Sequence, residues 1–208
     1  MRLHGYSDRI HHALAFTAKH HPERVSRYDD RNCLIRASSV AVILARYSAD
    51  ECSIVASILK QLVDACSLTQ QATLGQDIAA KFGGLVAATV AAAAEPRYDV
   101  LGRERTWKAC RFEFLSRLTE APARAVEVCV AHEMHLVGSA LVDVRRLGVE
   151  YVESLGEASA EGTIWWHRAL LETLGSHPHW RREAMLEELR LLAGDLARRL
   201  EDLERELG

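Results

Sequence analysis

The sequence predicts an all-α protein: a compact multi-helix bundle that ends in a C-terminal amphipathic helix. Three observations carry this reading. Apolar residues return at spacings of three and four over several long stretches. No comparable stretch alternates with period two, so no strand is expected. Only four prolines and twelve glycines interrupt 208 residues, of which 49% are hydrophobic, enough for one substantial core.

The apolar recurrence predicts helices around Ile10 to Phe16, Val40 to Tyr47, Ile54 to Val63, Ile78 to Val90 and Val126 to Leu147. Asp50, ahead of Glu51-Cys52-Ser53, is a helix start, because its side-chain oxygen can accept an otherwise orphaned backbone N–H. Thr73 ahead of Gln76, and Pro122 after Glu120-Ala121, are expected to start helices too. Breaks are expected from Pro22 to Asn32, at Gly83-Gly84, from Pro96 to Gly102 and from Gly175 to His179.

The last element carries its own pattern. Leu186, Leu189, Ala193, Leu196, Leu200, Leu203 and Leu207 alternate three and four apart, with glutamates, aspartates and arginines on the other faces. This is a heptad-like seam about three repeats long. Such a helix either packs back onto its own domain or pairs two chains, making a homodimer through Leu186, Leu189, Leu196, Leu200 and Leu203. The expected organisation is a helical domain over 1–176 and a heptad-patterned helix over 177–208.

Composition narrows the function classes. A net charge of −3 gives no broad electrostatic case for nucleic acid as a partner. The first residues hold Arg2, His4, Asp8 and Arg9 without a long apolar core, so no secretory signal is expected. The run from Leu85 to Ala94 is too short to span a bilayer, so no membrane partner is expected either. Cys33, Cys52, Cys66, Cys110 and Cys129 are odd in number and show no close pairing, which suits buried thiols in a reducing compartment. A soluble, cytoplasmic protein is the expectation.

Chemistry-bearing motifs are scarce. There is no glycine-rich phosphate loop, no G-x-S-x-G elbow and no Cys-His nucleophile arrangement. His132-Glu133-Met134-His135 sets two imidazoles at i and i+3, near enough on a helix to share an ion. That spacing is one residue short of the H-E-x-x-H zinc motif, and no third ligand stands nearby, so packed or hydrogen-bonded histidines are the simpler reading. The Trp165-Trp166 pair reads as helix packing with one indole inward.

The run Ser57-Ile58-Leu59-Lys60-Gln61-Leu62-Val63-Asp64-Ala65 resembles the centre of the HD-domain phosphohydrolases, within them the hydrolase part of RelA/SpoT-type alarmone enzymes and the small alarmone hydrolases. The resemblance extends over roughly Tyr6 to Leu174. It includes Tyr6-Ser7-Asp8-Arg9-Ile10, Ser26-Arg27-Tyr28-Asp29, Cys33-Leu34-Ile35-Arg36-Ala37, Lys81-Phe82-Gly83-Gly84-Leu85-Val86 and Val130-Ala131-His132-Glu133-Met134-His135-Leu136. It implies an HD-domain-like, RelA/SpoT hydrolase-like bundle and a metal-dependent hydrolysis of guanosine tetraphosphate-type nucleotides.

At the family's ligand positions, however, the residue types have changed. Lys60 and Gln61 stand where His-Asp would bind the metal, Arg36 replaces the first His ligand and His132 the last Asp, while Asp64 stands where a catalytic Glu would be. A protonated lysine has no lone pair to give, and a glutamine offers only a weak neutral oxygen. The resemblance therefore implies a degenerate pocket of Arg27, Arg36, Lys60, Gln61, Asp64, His132 and His135 that needs no cofactor. Within it Lys60 can pair with Asp64 as a locked fossil site, or Arg27, Arg36 and Lys60 can hold the phosphate of a guanosine nucleotide. Binding of a protein partner is the companion expectation. The alternative is a phosphohydrolase with a rebuilt Mn²⁺ site on His132, His135 and Asp64.

Overall fold

The computed structural model describes residues 5–20 and 33–207. The break expected from Pro22 to Asn32 lies outside the described residues. The described elements are helical apart from one isolated antiparallel bridge between Tyr98 and Glu104. The chain divides into two compact units, one holding the described residues up to Ala94 with Arg124–Cys129, the other Glu95–Ala123 with the chain from Val130 onward.

In the first unit, α1 (Asp8–His20), α2 (Cys33–Arg46), α4 (Leu68–Phe82) and α5 (Gly84–Ala93) all pack against α3 (Glu51–Ala65). A helix surrounded in this way must be apolar on every side, and α3 is buried almost without interruption from Cys52 to Val63. Asp50 caps it as expected, its Oδ1 accepting from the Ser53 N–H at 2.8 Å. Burial of Asp50 works against its charge, yet hydrogen bonds from Ser53 and the Arg124 guanidinium hold its carboxyl below the usual range.

The start expected at Thr73 is displaced, since Thr73 lies inside α4. The cap is Ser67, whose backbone N–H donates to the Gln70 side chain at 3.0 Å, six residues earlier than the Thr73 pattern suggested. The stretch expected from Ile78 to Val90 is two helices. Gly83, at φ +90°, ends α4 and turns the chain into α5.

The second unit contains α6 (Trp107–Leu118), most of α7 (Ala123–Leu147), α8 (Val149–Ser154), a 3₁₀ turn at Gly156–Ala158, α9 (Ala160–Gly175) and α10 (Glu183–Leu207). Pro122 immediately precedes α7, as expected. Apolar periodicity missed α6, whose buried positions Cys110, Phe114 and Leu118 are only one side chain wide. The C-terminal heptads are used inside this unit: Met185, Leu189, Ala193, Leu196 and Leu200 are buried, and α10 packs on α9 and α8. Of the rest of the seam, Leu186 and Leu203 are half-buried and Leu207 is exposed. α7 is the one described helix long and apolar enough to cross a membrane, and 61% of its apolar window is buried in the protein.

Candidate functional site

Lys60 lies in the middle of the buried face of α3 and is only 2% exposed. A charge in that position needs a partner, and the helix repeat supplies one four residues on. Lys60 Nζ stands 2.5 Å from Asp64 Oδ2, and Asp64 keeps an edge in contact with solvent. Gln61 is buried beside Lys60 on the same helix. Next to this pair, burial pushes the Cys33 thiol up to about 11, and the Asp64 carboxylate and Cys66 push it the same way.

The other expected site residues are distributed as follows. Arg36 is half-buried on α2, which packs directly against α3. His132 and His135 are half-buried on the part of α7 that belongs to the second unit. Arg27 lies outside the described residues. Lys60 and Asp64 are in direct contact. Among the described residues, no group of three or more His, Cys, Asp or Glu side chains could hold a metal ion.

The second unit holds a buried polar network that sequence reasoning missed. Glu133, between the two histidines of the His-Glu-Met-His run, is buried, and its Oε2 accepts from Trp166 Nε1 at 3.1 Å. His167 Nε2 lies 3.8 Å from the same oxygen. Arg111 covers the Trp166 ring at 4.6 Å and pairs with Glu95 at 3.0 Å. Burial holds His167 below the ordinary imidazole range; Glu133 opposes this and Arg111 adds to it. A signal was present, because Glu133 lies three residues after Val130 and four before Val137, both on the buried stripe of α7. A carboxylate at such a position demands donors, and Trp166 supplies one. The expectation of one inward indole holds: Trp166 is buried and Trp165 half-exposed.

No family model matches the sequence. No curated protein matches it either. Among the solved structures similar in fold are the following two. One is the crystal structure of lmo0812 from Listeria monocytogenes EGD-e, with a TM-score of 0.61 and 18% identity over 78% of this chain and 94% of that one. The other is a metazoan ortholog of SpoT that hydrolyses ppGpp and plays a role in starvation responses. It gives a TM-score of 0.60 and 14% identity over 99% of both chains. The fold is similar to that of a SpoT-type ppGpp hydrolase. This HD-like, all-α architecture agrees with the resemblance drawn from the Ser57 to Ala65 run, and at these identities the likeness is one of fold.

Proposed function

We propose that this chain is a catalytically degenerate HD-domain protein, which acts by binding a phosphorylated guanosine nucleotide or a partner protein rather than by hydrolysis. The observation that carries the reading is the buried Lys60–Asp64 ion pair. In the resemblance, position 60 belongs to a metal ligand. A divalent cation beside a buried ammonium meets repulsion, and the carboxylate nearest to it is already engaged. Lysine, glutamine and arginine at positions 60, 61 and 36 do not fit the metal that the family implies, so no hydrolytic step is derived through one.

Nucleotide binding asks less of these residues. Arg36, and Arg27 by the same resemblance, offer guanidinium donors suited to phosphate oxygens. Buried free cysteines suit a reducing compartment, and a cytoplasmic site of action goes with the proposal. The second reading, a phosphohydrolase of guanosine tetraphosphate-type nucleotides, is supported by the likeness in fold to a ppGpp-hydrolysing protein.

Elemental analysis after equilibration with excess manganese and desalting separates the two readings, alongside an assay of pyrophosphate release from guanosine tetraphosphate. The proposal expects neither retained metal nor release. It also expects calorimetric nucleotide binding weakened about tenfold in Arg36→Ala, the size of one lost charge-assisted contact. Near-stoichiometric manganese with turnover overturns it in favour of the second reading; absence of metal, turnover and nucleotide binding leaves the partner-protein form of the proposal.

A further inference from the structure

The break between α9 and α10, residues 176–182, is held together by one imidazole. His177 is 1% exposed, and its Nδ1 accepts from the backbone N–H groups of His179 and Trp180 at 3.2 and 3.1 Å. Pro178, with no N–H to give, leaves these two as the next donors along the chain. Accepting from the second and third residues onward is what an Asn, Asp or Ser side chain does ahead of a helix, so His177 serves the turn as such a cap. Trp180 is buried, and the Arg181 guanidinium donates to the carbonyls of His177 and Trp180.

Two backbone donors on one nitrogen fix the chemistry of the ring. Nδ1 must keep its lone pair, so the neutral imidazole carries its proton on Nε2. A second proton has only Nδ1 to go to. There it turns the acceptor into a donor that faces two others, and both backbone bonds are lost together.

The segment offers nothing to hold the imidazolium that results. Nε2 is buried and meets no acceptor, carboxylate or otherwise, among the described residues. The charged and titratable groups set against His177 are Arg181, on its carbonyl, and the His179 ring, 6.4 Å from its own. Acid therefore adds positive charge beside a guanidinium and a second imidazole, at the point where two bonds are broken.

We propose that His177 is a pH-sensitive latch on the C-terminal helix: with Nδ1 bare the turn is shut, and with Nδ1 protonated residues 176–182 open and loosen the first turn of α10. Local opening of this kind needs no global unfolding. Met185 and Leu189, buried near the start of α10, are the first apolar side chains that it uncovers.

Amide exchange of the full chain, resolved by NMR and expressed as protection factors so that the intrinsic pH dependence of exchange is removed, tests this. Protection of the His179 and Trp180 amides falls about tenfold between pH 7.5 and 5.0, the size of one or two lost hydrogen bonds. The fall persists in His167→Gln, which separates it from the imidazole buried on α9. In His177→Asn, whose side-chain oxygen accepts the same N–H groups and does not titrate, protection at the two pH values agrees within about twofold, and in His177→Ala it is low at both. In the wild type, nitrogen–proton correlation spectra of the His177 ring show the proton on Nε2 at pH 7.5 and on both nitrogens at pH 5.0, in step with the loss of protection. A ring protonated on Nδ1 at pH 7.5 overturns the proposal, as does a ring that stays neutral to pH 5.0, protection that survives while the ring titrates, or a fall that His177→Asn retains.

Discussion

Lys60 Nζ and Asp64 Oδ2 stand 2.5 Å apart on successive turns of α3, the lysine removed from water by four surrounding helices. An ammonium in this position leans on its carboxylate for compensation. Asp64→Ala should lower unfolding stability by about 3 kcal/mol, because it removes a counter-charge in direct contact with a buried ammonium. Lys60→Met should be milder, since Asp64 reaches solvent and Met suits the apolar surroundings. The double variant Lys60→Met/Asp64→Leu should recover most of the loss, with a coupling of about 1–3 kcal/mol in a double-mutant cycle followed by urea denaturation.

The second prediction concerns acid. His167 has its folded pKa pushed below the ordinary 6.5 by burial, so the unfolded chain binds more protons than the folded one as pH falls below that value. The contribution is fully present above 6.5 and is lost as pH drops toward the folded pKa. Melting temperatures between pH 7.5 and 5.5 should fall, and His167→Gln should flatten the slope. An unchanged slope in the variant would remove His167 from the account.

The heptad leucines of α10 test the intramolecular packing. Leu189→Ala, Leu196→Ala and Leu200→Ala each empty a fully buried position and should each lower stability by about 2–5 kcal/mol. Leu191→Ala, on the exposed face of the same helix, should stay within about 0.5 kcal/mol of wild type. Equal effects at all four positions would mean that α10 is not docked as described.

Thiol chemistry gives a fourth prediction. Burial pushes both Cys33 and Cys110 up to about 11, and Cys52 and Cys66 upward as well. At pH 8 a thiol of that kind is ionised on the order of one part in a thousand, so iodoacetamide should label the native protein far more slowly than a free thiol. Mass spectrometry should show Cys33, the half-exposed one, labelled first and at a rate that climbs with pH. Rapid labelling of Cys110 at pH 8 would contradict its burial.

Much of the fold was legible because its determinants are local. The three-and-four spacing in α2, α3 and α7, the Asp50 cap, Pro122 and the Gly83 turn are all properties of a few neighbouring residues. The residue types that the resemblance compares, at Arg36, Lys60, Gln61 and His132, were equally open to reading from the chain alone. Even the Lys60–Asp64 partnership is local, one helical turn, so it was among the arrangements that the sequence suggested.

What required tertiary structure was everything that depends on distant chain segments meeting. That Leu189, Ala193, Leu196 and Leu200 of the C-terminal seam are buried within their own unit is visible only in the packing of α10 on α9 and α8. Glu133 finds its donor 33 residues away in Trp166, and α6 is stabilised by α9 far more than by its own weak periodicity. Spacing along a chain sets which face a side chain takes, whereas the burial energy that selects its neighbour exists only once the faces have met.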